Sequence, residues 1–183
     1  MSFLTGPPLS EKDYPPFAQI HAAFGFVPNF FRAQTCRTDL IEAQLCMLGF
    51  IVEPSALERR HKEYVFLAVS ARNLSTYCVT AHCEIVRMLG LAGPGPEQIA
   101  LNHNAAAIAM SEKALLNFAV KLNNFPGAVE AGDIENLRTF GFSDAQILEA
   151  ITMTALAQYS NTVAFALGAE PDFENAEVAF SGG

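Results

Sequence analysis

The chain is predicted to be all-α, on three observations. Runs of alternating β-branched residues, the mark of half-buried strands, are missing. Apolar residues recur instead at helical spacing, as in Leu40, Ile41, Leu45, Leu48 and Ile51. Capping-box sequences and Pro-Gly breaks divide the chain into helix-sized pieces, which predicts a single-domain helical bundle.

Taken in order, residues 1–16 hold Pro7, Pro8, Pro15 and Pro16 and are expected to form an extended arm. The helical domain then occupies residues 17–170. A short helix is predicted over Phe17 to Phe24, ended by Gly25, and the chain restarts at Val27-Pro28-Asn29. Thr38 or Asp39 can cap the next helix. Ser55-Ala56-Leu57-Glu58 reads as a capping box opening a helix to about Arg72. The second half of that helix, Tyr64 to Val69, is apolar all round, so it should be central and buried. Asn73-Leu74-Ser75 is a turn, and another helix runs from there to Gly90, giving a helix hairpin. Gly93-Pro94-Gly95-Pro96 precedes a short helix near Glu97. Ser111 is expected to cap a helix to about Asn123, which Pro126-Gly127 breaks. Asp133 to Phe140 is helical, and Ser143-Asp144-Ala145-Gln146 opens a long apolar helix to Gly168. Residues 171–183 form an acidic tail in which Phe173, Val178 and Phe180 could pack on the body.

Bulk composition narrows the function classes. Apolar residues make up 51% of the 183 and charged residues 16%, a ratio that suggests apolar surface buried between subunits of a homo-oligomer. The net charge is −8, so nucleic acid and anionic membrane surfaces are poor partners. No apolar stretch approaches the roughly 20 residues a bilayer span needs. The start of the sequence lacks a basic and then apolar leader pattern, so a cytoplasmic protein with reduced cysteines is expected.

Chemistry concentrates on Cys78, His82 and Glu63. Cys78 and His82 are four apart, so on a helix they share a face with Cβ atoms about 6 Å apart. If the two helices fold back near residues 73 and 74, Glu63 falls level with about residue 84, within a turn of His82. Carboxylate, imidazole and thiol in that order can take a proton off sulfur and hold the imidazole oriented. With Ser75 as N-cap, Cys78 sits at the third helical position, where free N–H groups and the helix dipole favour an anion. An ordinary thiol with a pKa near 8.5 is only about 3% ionised at pH 7, and lowering that pKa by ~1.5 would ionise about half. A structural alternative stays open: a buried thiol, with Glu63 pairing to Arg59 or Arg60. Cys36 and Cys46 read as packing residues, and His21, His61 and His103 as surface or loop residues. No Cys-x-x-Cys or His-x-x-x-His spacing suggests a metal, and no cofactor is expected.

The stretch Lys62-Glu63-Tyr64-Val65-Phe66-Leu67-Ala68-Val69-Ser70-Ala71-Arg72-Asn73, followed by Tyr77-Cys78-Val79-Thr80-Ala81-His82, resembles the alkylhydroperoxidase D core of the carboxymuconolactone decarboxylase superfamily. Gly25 to Phe31, Asn117-Phe118-Ala119 and Gly141-Phe142-Ser143-Asp144 resemble its peroxidase-related branch. The core resemblance covers about residues 40–125. The family pattern is a Glu, then Cys-x-x-Cys, then a His four residues on. Glu63, Cys78 and His82 match the Glu, the second Cys and the His. The resemblance implies an all-helical fold, a homo-oligomer (trimer or hexamer, or a dimer), and a second cysteine that attacks peroxide while Glu and His relay its proton.

Two departures stand out. Ser75 occupies the position of the first cysteine, so the partner that would close an intramolecular disulfide is missing. Cys83 is a poor substitute, five residues on and about 140° around the helix, with Cα atoms roughly 8.5 Å apart. Turnover would therefore need an external thiol. Tyr77 stands where the family often has a histidine, which shortens the relay. The expected function is a thiol peroxidase acting on hydrogen peroxide or organic hydroperoxides. Two alternatives remain: a non-catalytic helical oligomer that senses redox state or binds a partner, and a decarboxylase-like acid/base enzyme using His82 and Glu63.

Overall fold

A computed structural model describes residues 2–53 and 55–173. Among the described residues the chain is helical, without strands: α1 (Pro15–Phe24), α2 (Asn29–Arg32), α3 (Thr38–Val52), α4 (Arg59–Arg72), α5 (Thr76–Met88), α6 (Pro96–Asn102), α7 (Met110–Asn124), α8 (Ala131–Thr139) and α9 (Asp144–Leu167). No helix among these residues is long and apolar enough to cross a membrane.

The centre is α4, as its sequence predicts. Every residue from Lys62 to Ala71 is buried, and α5, α6, α7 and α9 pack around it. A helix surrounded on all sides has no solvent face to keep polar, which is why the run is apolar all round. The hairpin turn after α4 is a Schellman motif: the Leu74 N–H donates to the Ala71 carbonyl at 3.0 Å and the Ser75 N–H to the Ser70 carbonyl at 2.9 Å. Glycine fills the left-handed position of the same motif after α9, at Gly168. Here Leu74 fills it, at φ 57°, with its side chain exposed. The three-residue turn sets the level at which α4 and α5 side chains face each other.

Several boundaries differ from expectation. Helix α1 begins at Pro15, two residues inside the stretch read as arm, because proline's fixed φ suits the first helical position. Arg37, not Thr38 or Asp39, is the N-cap of α3. Ser111 lies inside the first turn of α7; Ala109 precedes it, and Glu112 Oε2 accepts from the Ala109 N–H at 2.9 Å. The Ser143 box forms as read: Ser143 Oγ accepts from the Gln146 N–H, and Gln146 Oε1 accepts from the Ser143 N–H at 2.8 Å.

The Ser55 box does not form. Helix α4 starts at Arg59, and the loop before it is held by Glu149 of α9, whose carboxylate accepts from the Ala56 and Leu57 N–H groups at 3.0 and 2.8 Å. Lys62 completes the clamp. Its ammonium is buried and donates to the Phe50 carbonyl and to Ser55 Oγ, with Glu149 4.0 Å away. Replacing Lys62 by Met would strand those acceptors, and the expected loss is about 3 kcal/mol, read as a lower urea midpoint. An unchanged midpoint would show that the clamp contributes nothing to stability.

The N-terminal arm docks on the end of α9. The Phe3 N–H and Ser2 Oγ both donate to the Leu167 carbonyl at 2.9 Å, and the Phe3 ring lies where a Cβ on Gly168 would stand. At the other end Phe173 packs edge-on against Phe26, with centroids 5.1 Å apart. Val178 and Phe180 lie outside the described residues. Cys36 and Cys46 were expected to pack inside, but both are exposed: one lies in the loop before α3, the other on the outer side of α3 beside Met47.

Candidate active site

The α4–α5 hairpin brings Glu63 and His82 into direct contact. His82 Nδ1 lies 2.6 Å from Glu63 Oε2, and the other carboxylate oxygen accepts from Arg59 Nε at 2.6 Å. Glu63 is fully buried. Burial works against its charge, but His82 and Arg59 outweigh that and hold its pKa below the ordinary carboxylate value. An ionised carboxylate only accepts, so in the neutral imidazole the proton sits on Nδ1 and the free lone pair on Nε2. Phe66, one turn after Glu63 on α4, stacks on the imidazole at 3.7 Å between centroids. The ring is thus fixed both in its plane and against rotation. The two pairings of Glu63 weighed from the sequence, to His82 and to Arg59, coexist.

Cys78 and His82 open on one cavity of about 60 Å³. That space holds a few molecules the size of water. Its walls are largely apolar, with Phe24, Phe30, Phe31, Phe66, Leu156 and Ile85 prominent. Gln44 reaches it from α3 and is fixed by Gln34 and by Tyr159 Oη at 2.9 Å. Cys83 is buried but does not line the cavity, and burial pushes its thiol up to about 11. No cluster of three or more His, Cys, Asp or Glu suited to a metal ion occurs among the described residues.

The thiol itself departs from expectation. Ser75 is the N-cap residue of α5, and Cys78 is at the third helical position. Yet burial raises the Cys78 pKa, and the pull of Ser75 and Asn161 toward the thiolate does not compensate. The cap position adds little because the surroundings are apolar: only 3% of Cys78 is exposed, and desolvating a charge costs more than a helix end returns. The Ser75 hydroxyl is buried, and among the described residues it neither caps α5 nor finds another hydrogen-bond partner.

Asn161 and Tyr77 have roles that the sequence reading did not find. Asn161, on α9, is buried; its Nδ2 donates to Ser70 Oγ at 2.9 Å and its Oδ1 accepts from Asn73 Nδ2 at 2.8 Å. Asn161 sits in the polar run Gln158-Tyr159-Ser160-Asn161-Thr162, so nothing local in the sequence set it apart from its neighbours. Tyr77 does not extend the imidazole relay. Its hydroxyl donates to Asp172 Oδ2 at 2.6 Å and accepts from the Phe30 N–H at 2.9 Å. Burial, then Asp172, raises its pKa strongly. The other histidines stand apart from the site. His21 pairs with Glu11 and His103 with Asn117, both at the surface, while His61, expected there too, is largely buried on α4, 3.3 Å from Glu112.

No protein-family model and no curated protein sequence matches the chain. Solved structures do. An alkylhydroperoxidase D-core, peroxidase-related protein from Ralstonia eutropha JMP134 superposes with a TM-score of 0.85 at 29% identity, covering 94% of this chain and 93% of that one. A peroxidase-related protein from Silicibacter sp. TM1040 gives 0.85 at 27% identity, with the same coverage. The debrominase Bmp8, as a cysteine-to-alanine variant bound to 2,3,4-tribromopyrrole, shares the fold at 0.80 and 19% identity, over 96% of this chain and 95% of that one. The helical architecture and the similarity along nearly the whole chain agree with the sequence motifs: the chain has the all-helical fold of the alkylhydroperoxidase D-core, peroxidase-related proteins and is similar to them over 94% of its length.

Proposed function

We propose that this protein is a thiol peroxidase that reduces hydrogen peroxide or small organic hydroperoxides through Cys78. The observation that carries the reading is the shared cavity: the thiol and an imidazole fixed by Glu63 at 2.6 Å open on the same small apolar space. In this reading the Cys78 sulfur attacks one peroxide oxygen as the O–O bond breaks. Sulfur is oxidised to the sulfenic acid, and the thiol proton passes through His82 Nε2 to the departing oxygen, which leaves as water or an alcohol. Glu63 holds the imidazole and stabilises its charged form. An external thiol then attacks the sulfenic acid, releasing water and leaving a mixed disulfide. A second thiol frees Cys78 as a disulfide of the two external thiols. Ser75 in place of a resolving cysteine is the reason for the external reductant. The working unit is read as a homo-oligomer in the cytoplasm; Leu40 and Met47, exposed on α3, support a subunit contact.

One observation favours a second reading, a non-catalytic helical oligomer: the burial that raises the Cys78 pKa. Peroxide consumption separates the two. With an added small thiol in excess, steady turnover is expected, linear in protein concentration. Consumption equal to that of the thiol alone would favour the non-catalytic reading.

A further inference from the structure

One wall of the thiol cavity is fastened by a few bonds from outside itself. Pro28, Phe30 and Phe31 line the cavity from the segment between α1 and α3, which includes only the four-residue helix α2. A helix that short cannot hold its own place, and its first N–H groups have no intrahelical partners. Two of those donors are taken by Tyr77 and Asp172. Tyr77 Oη accepts from the Phe30 N–H at 2.9 Å while donating to Asp172 Oδ2 at 2.6 Å. Asp172 Oδ1 accepts from the Asn29 N–H at 2.7 Å. Asn29 Nδ2 returns bonds to the carbonyls of Glu170 and Pro171 at 3.2 and 3.3 Å. Tyr77, next to the reacting cysteine in sequence, lines the same cavity. The clasp therefore ties three separate pieces of chain, α2, the start of α5 and the segment after α9, at the edge of the thiol site.

We propose that Tyr77 and Asp172 are specificity-determining positioning residues, whose clasp fixes the Pro28–Phe31 wall and admits only small substrates to Cys78. Hydrogen peroxide and short alkyl hydroperoxides are small enough for a cavity of about 60 Å³. Bulky aromatic or long-chain hydroperoxides require the wall to move. The inference rests on Cys78 being the reacting thiol, but its test does not need turnover.

The experiment compares alkylation of Cys78 by a small reagent, iodoacetamide, and a bulky one, N-(1-pyrenyl)maleimide, in protein carrying Cys36→Ser and Cys46→Ser. The modified site is assigned by mass spectrometry. Tyr77→Phe removes the hydroxyl and keeps the ring. The bulky rate is expected to rise roughly 5- to 30-fold, the factor that one or two hydrogen bonds set on a local opening, with the small reagent changed by about twofold at most. Asp172→Asn, which keeps the shape but loses the charge, should act in the same direction. An unchanged ratio of bulky to small rates in both variants overturns the proposal, as does an equal rise for both reagents, which is general loosening. If the ratio shifts but peroxide never oxidises Cys78, the clasp stands and the peroxidase reading falls.

Discussion

Cys78→Ser is expected to abolish thiol-dependent peroxide consumption, a loss of roughly three orders of magnitude or more. The serine hydroxyl is close in size to the thiol, so the cavity and the Glu63–His82 pair should survive. What disappears is the polarisable sulfur that can accept an oxygen. His82→Ala should lower the rate without removing the nucleophile, and comparing the two variants separates mechanisms. Activity lost with His82→Ala but intact in Cys78→Ser would assign the chemistry to acid/base work by His82 and Glu63, as a decarboxylase-like enzyme would use it. The wild-type pH profile has a fixed sign. Burial raises the Cys78 pKa, so the thiolate is the minority form at neutral pH and the rate should climb as pH rises into the alkaline range. A thiol activated by its helix end would level off well below pH 8.5.

Glu63→Gln is expected to cost about 10²- to 10⁴-fold in rate while leaving Cys78 in place. The glutamine amide can present an N–H where the carboxylate could only accept. It would then favour the imidazole tautomer with its proton on Nε2, the nitrogen that must receive one from the thiol. Arg59, bonded to the other oxygen at 2.6 Å, would also lose its counter-ion, so a fall of about 2 kcal/mol in stability is expected beside the kinetic loss. Glu63→Asp keeps the charge and should recover part of the stability but little of the rate, because the shorter side chain cannot reach both partners. Measuring kcat and the urea midpoint for both variants distinguishes the kinetic role from the structural one. Equal rates in wild type and Glu63→Gln would contradict the orienting role.

Local pattern predicted what local physics controls. The all-round apolar run of α4 could belong only to a central helix, and the short turn at Asn73-Leu74-Ser75 was enough to set Glu63 opposite His82. The Ser143 box likewise lies within four residues. The misses involve partners far away in sequence. Ser55 resembles a cap, yet Glu149, which binds the Leu57 N–H 92 positions away, takes over the loop. Tyr77 was read through its neighbour Cys78, whereas its hydroxyl belongs to Asp172, 95 positions on. The direction of the Cys78 pKa was missed for the same reason. Helix position is local and favours the thiolate, but burial comes from the wall around α2 and from α9, which a single helix cannot report.

The central claim is that a buried thiol beside an oriented imidazole reacts with peroxide better than exposure alone would allow, and the chain carries its own controls. Cys36 and Cys46 are exposed, while Cys78 is buried. The most direct measurement is a brief exposure to substoichiometric peroxide, trapping of sulfenic acid, and mass spectrometry that assigns the oxidised cysteine. Sulfenic acid on Cys78 before Cys36 and Cys46, with the order lost in Glu63→Gln, is the predicted result. Oxidation of Cys36 and Cys46 while Cys78 stays reduced would contradict it.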